Sequence, residues 1–99
     1  MKKNNAANSG KNEVHETLNK RDKLYGGFAN VAELSQGLKN VLRNHEANDE
    51  FCIEKLAPAQ AEALEMIMHK TSRILNGDPN LKDNWIDIAG YATLVADML

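Results

Sequence analysis

A chain of 99 residues with a formal net charge of −2 has room for one small domain and little stability to spare. Hydrophobic residues at 42% and charged residues at 26% are an ordinary globular balance, and the slight acidity argues against nucleic acid as a partner, which needs a basic surface. The one cysteine, Cys52, excludes an internal disulfide, and no apolar run has signal-peptide or membrane-spanning character, so a cytoplasmic protein with no membrane contact is expected.

Residues 1–12, MKKNNAANSGKN, are polar and lack a hydrophobic stripe, so a disordered tail is expected there. Residues 13–99 read as a single helical domain. A weak first helix starts near Glu13, with Val14, Leu18 and Tyr25 on one face. The pair Gly26-Gly27 breaks it. Tyr25 and Phe28 flank the break and are read mainly as core anchors, with Tyr25 kept as a ligand-stacking candidate. A clearly amphipathic helix follows from about Ala29 to Asn44, carrying Val31, Ala32, Ser35, Leu38, Val41 and Leu42 on one stripe. Residues 46–57 form a connector in which Phe51, Ile53 and Leu56 are expected to return to the core, with Cys52 as a small packer beside them.

The last third is a helical hairpin. Pro58 opens its first helix, because a missing N–H costs nothing in a first turn. Leu64, Ile67, Met68, Thr71, Ile74 and Leu75 make its apolar stripe, and Asn76-Gly77 ends it. Asp78-Pro79-Asn80 turns the chain, and the second helix starts near Lys82–Asp83. That helix is apolar nearly all round, which predicts burial on more than one side. Gly90 within it costs roughly 1 kcal/mol against alanine, a cost that a close helix–helix approach would justify. The whole is an all-α fold: a small bundle of three to four helices with a C-terminal antiparallel hairpin, and a homodimer is favoured over a monomer.

The chemistry gathers in the hairpin. Asp87 is a carboxylate on a greasy helix, so it needs a partner, and hairpin register suggests Arg73. His69 falls on the same polar stripe as Arg73. His69, Lys70, Arg73, Asp83 and Asp87 are the ligand-binding candidates, together with Tyr25. No His-Glu-x-x-His, Cys-x-x-Cys or calcium-loop spacing occurs, so no transition-metal site and no catalytic residue is assigned. Glu62, Glu65, Asp83 and Asp87 offer the one arrangement that could hold Mg²⁺.

The segments ALEMIMHKTSRILNGDPN and KDNWIDIAGYATLVADML, with the earlier KRDKLYGGFANVAELSQGLKNVLR, resemble a family of small phage and prophage proteins of unknown function. The D-x-W-x-D-I-A-G-Y-A run from Asp83 to Ala92 is the most specific part. More distantly, the hairpin is similar to MazG-like all-α nucleoside triphosphate pyrophosphohydrolases. Those enzymes hold Mg²⁺ with a Glu-Glu-x-x-Glu helix and a later Glu-x-x-Asp helix. Here Asp87 matches the last position, Asn84 replaces the Glu, and His69-Lys70-x-x-Arg73 stands where the first motif would be. The resemblance implies this fold and a phage origin; small size, acidity and the absence of a catalytic set favour a non-enzymatic accessory protein that binds a host or phage protein, for host takeover, anti-defence or regulation. The alternative is a nucleotide-binding or degenerate pyrophosphohydrolase relative, with Mg²⁺ as its cofactor if it were an enzyme.

Overall fold

The computed structural model describes residues 2–45 and 52–99, and side chains from Asn12 onward in the first helix. Four α-helices follow one another: α1 (Lys2–Tyr25), α2 (Phe28–Asn44), α3 (Pro58–Asn76) and α4 (Lys82–Ala96). A single 3₁₀ turn, Ile53–Lys55, precedes α3. Among the described residues there is no strand, and the fold is an all-α small bundle. The helical span of α1 begins well ahead of the Glu13 start read from the sequence. The connector expectation for Phe51 lies outside the described residues.

Helix α3 is the centre. It packs against α2 on one side and α4 on the other. Its start is set by Pro58 in the first turn and by Gln60, whose Oε1 accepts the Ala57 backbone N–H at 3.0 Å. Arg43 of α2 ties to α3 through Nε and Nη2, both donating to Glu65 Oε1. The α3–α4 turn is an Asx turn, in which the Asn80 backbone N–H donates to Asp78 Oδ1 at 2.9 Å. Trp85 then closes back on it, its indole N–H donating to the Pro79 carbonyl at 2.9 Å.

The α1–α2 turn locks onto the end of α3. Gly26 and Gly27 both take positive φ, +83° and +92°. A Cβ on Gly26 would lie 1.6 Å from the Asn76 carbonyl oxygen, and one on Gly77 would lie 2.1 Å from the Leu24 carbonyl oxygen. The two backbones interlock there, and Asp78 N–H donates to Leu24 O at 2.9 Å. Gly77 therefore serves a close approach as well as the helix stop expected of it.

The core is thin. Among the described residues Val31 and Ala63 are the buried hydrophobic ones, beside buried Ser35, Ser72 and Asn84. Several expected core positions are instead exposed. Phe28 is 81% exposed, so it is not a core anchor. Leu64 and Leu75 leave the α3 stripe for solvent, and Leu56 is partly exposed. On α4, Trp85, Ile86 and Leu94 are exposed, as are Met98 and Leu99 just after it, against the expectation of burial on several sides. Gly90 meets no close approach, since nothing lies within 4 Å of where its Cβ would be. Helical spacing identifies residues that share a face; it does not say whether a neighbour covers that face.

Candidate functional site

The end of α1, the start of α2 and the middle of α3 enclose a cavity of about 480 Å³. Helix α1 lines it with Leu18, Arg21, Asp22 and Tyr25, α2 with Phe28 and Val31, and α3 with His69 and Arg73. Its position follows from the glycine interlock. Gly26 and Gly77 hold the end of α1 against the end of α3, so Tyr25 comes over Arg73. The Arg73 guanidinium carbon sits 4.4 Å from the Tyr25 ring centroid, a cation–π stack.

His69 is half-buried, and its Nδ1 lies 3.3 Å from the buried Ser35 hydroxyl. Burial holds its pKa below the ordinary 6.5, and the charges of Arg73, Lys39 and Lys70 push it the same way. The imidazole is thus neutral at neutral pH, one hydrogen-bonding edge engaged by Ser35. Ser72 supports the turn beneath it, donating its hydroxyl to the His69 carbonyl at 2.5 Å. Arg21 and Arg73 are two cations on the cavity wall, with Asp22 the one carboxylate. Apolar Leu18, Phe28 and Val31 supply the rest. Two guanidiniums, a neutral imidazole and aromatic rings suit a ligand with an anionic group and a flat apolar part.

Of the six candidate residues, Tyr25, His69 and Arg73 come together here. Lys70 and Asp87 do not. They pair with each other on the α4 side of α3, Lys70 Nζ to Asp87 Oδ2 at 2.8 Å. This corrects the expected Arg73–Asp87 pair. Lys70 and Arg73 are three residues apart, so they point about 60° apart around the helix. Only Lys70 faces α4, while Arg73 turns toward α1. His69 accordingly shares a seam with Arg73 but not with Asp87. Asp83 sits exposed in the first turn of α4, away from the cavity. Arg21 and Ser35 carry no sequence signal that singles them out. Arg21 lies four residues before Tyr25, one helical turn, which is the one hint available.

The carboxylates proposed for Mg²⁺ do not converge. Glu65 is taken by Arg43 and Asp87 by Lys70. Among the described residues no three His, Cys, Asp or Glu side chains are grouped to hold a metal ion. The residues present do not fit the Mg²⁺ site of the MazG-like enzymes.

A family model described as a domain of unknown function, DUF6378, matches residues 12–99. The chain belongs to the DUF6378 family. Neither the curated proteins nor the solved structures contain a match to it. The DUF6378 match starts within α1 and covers α2, α3, α4 and every residue that lines the cavity. No helix among the described residues is long and apolar enough to cross a membrane.

Proposed function

We propose that this domain binds a nucleotide, or a closely similar small anion with a planar base, in the α1–α2–α3 cavity, without catalysing its hydrolysis. The observation that carries this is the Arg73–Tyr25 stack beside Arg21 and neutral His69 in one cavity of about 480 Å³. Arg21 and Arg73 would take the phosphate by paired N–H donation. Phe28, exposed at the rim, offers a face for the base. A neutral His69 can donate or accept at the edge facing the cavity. A catalytic set is not part of this reading, because two of the four carboxylates that could hold Mg²⁺, Glu65 and Asp87, are paired with Arg43 and Lys70.

The test is a thermal-shift screen with nucleoside mono-, di- and triphosphates, with and without Mg²⁺. A ligand at 100 times its Kd adds about 2.7 kcal/mol of stability. Arg73→Ala should abolish the shift. No shift with any nucleotide rejects the proposal.

A second reading is the non-enzymatic accessory protein acting on a host or phage protein. Its support is the exposed apolar surface of α4. Phage origin belongs to this reading, and it rests on the resemblance carried by the Asp83–Ala92 run. Here Arg73→Ala would leave partner affinity intact, whereas Ile86→Glu would remove it.

A further inference from the structure

We infer that the outer face of α4 is a self-association surface, and that its occupant is a second copy of this chain packed antiparallel across a two-fold axis near Ala89–Gly90. The chain exposes 7552 Å². A compact monomer of 11.0 kDa exposes about 5,600 Å² by size scaling. The projecting α1 contributes to that excess, and so do Trp85, Ile86 and Leu94 of α4, each more than half exposed. Obligate homodimers bury on the order of 1,000–2,500 Å² per protomer, an area of the same order as this excess.

Helix α4 turns Asn84, Asp87, Ile88, Tyr91 and Val95 toward the domain. Its outer side carries Ile86, Ala89, Gly90 and Thr93, small or apolar groups at the middle of the helix. Open space above Gly90 means no neighbour within the chain uses that glycine. A second helix could approach closely there.

Between Asn84 and Ala96 the one charged residue is Asp87, and it is turned to Lys70. Charges flank this neutral stretch, Lys82 and Asp83 at its start and Asp97 at its end, all exposed. None of the three takes part in an ion pair among the described residues. Antiparallel pairing about Ala89–Gly90 brings Lys82 of each copy opposite Asp97 of the other, and Ile86 opposite Thr93. A self-complementary patch of this kind is what a two-fold interface requires.

Light scattering coupled to size exclusion, on the full chain without ligand, decides it. The expected mass is that of two 11.0 kDa chains. Ile86→Glu should raise the dissociation constant by roughly 30-fold or more, as loss of a central anchor does, with helical circular dichroism unchanged. Lys82→Glu alone should weaken the dimer, and the swap Lys82→Glu with Asp97→Lys should restore it. A wild-type mass of one chain overturns the inference, leaving the face to another partner or to none. So does an assembly that Ile86→Glu leaves intact, or a charge swap that fails to rescue. No nucleotide enters this experiment, so its failure and that of the cavity reading are separate results.

Discussion

Arg73 is held over the Tyr25 ring on the cavity wall, where one residue serves both packing and charge. Its stack contributes about 0.5–1 kcal/mol at a partly exposed site, and its methylene stem adds some packing. Arg73→Ala should therefore lower stability by about 1 kcal/mol while removing the nucleotide shift, whereas Arg73→Lys keeps the charge and loses the paired donors. Urea titration and thermal shift on both variants separate the two contributions. His69 gives a pH signature. Its pKa is lowered in the fold, so the unfolded chain takes up a proton first as pH falls. The contribution is intact above the ordinary 6.5, falls as pH drops below it, and levels off below the folded value. His69→Gln should flatten that part of the stability profile, measured by denaturation between about pH 7.5 and pH 5. A profile identical to wild type would mean that His69 titrates normally.

Elements are placed by two kinds of contact. The first is backbone interlock. Gly77→Ala puts a methyl into the Leu24–Tyr25 backbone, and Gly26→Ala adds a positive φ to a worse clash. Each should cost about 3 kcal/mol or more, a fall in melting temperature of at least about 12 °C. Gly37 is the internal contrast, mid-helix in α2 with nothing within 4 Å of its Cβ position. Gly37→Ala should stabilise by about 0.5–1 kcal/mol. The second kind is the α3–α4 ion pair. The Lys70 side chain is 11% exposed and that of Asp87 is 45% exposed. Removing the two partners is therefore unequal. Asp87→Asn leaves a covered ammonium without its counter-charge and should cost about 1–3 kcal/mol. Lys70→Met leaves a carboxylate that water still reaches and should be close to neutral. Equal losses in chemical denaturation would show that burial does not govern this pair.

The whole molecule is long and thinly packed. Its extents are 63 × 27 × 26 Å, and its radius of gyration of 17.9 Å exceeds the roughly 13 Å of a compact chain this size. Helix α1 is exposed along its described side chains from Asn12 to Leu24 and is held at its C-terminal end. With Val31 and Ala63 as the buried hydrophobic residues among those described, these helices have little apolar burial to set against the entropy of ordering. If the second copy completes the core, stability depends on chain concentration. Scanning calorimetry over a hundred-fold dilution should then show the melting temperature falling with dilution in the wild type and staying constant in Ile86→Glu.

Much of the local structure was legible in the residues themselves. Pro58, the Asn76–Gly77 stop and the Lys82 start bound the hairpin helices where the sequence places them. The Gly26–Gly27 break separates α1 from α2. These are local effects of φ preference and apolar period, readable within a few residues. Tyr25, His69 and Arg73 were also recognisable as chemistry-bearing groups. Their meeting in one cavity was not, because it depends on the backbone approach of Gly26 to Asn76, fifty positions along the chain. Nor could spacing decide whether Lys70 or Arg73 meets Asp87. That choice is about 60° of rotation around one helix axis. Rotation, like the exposure of α4, is set by packing between distant segments, and it has no signature in the period of a single helix.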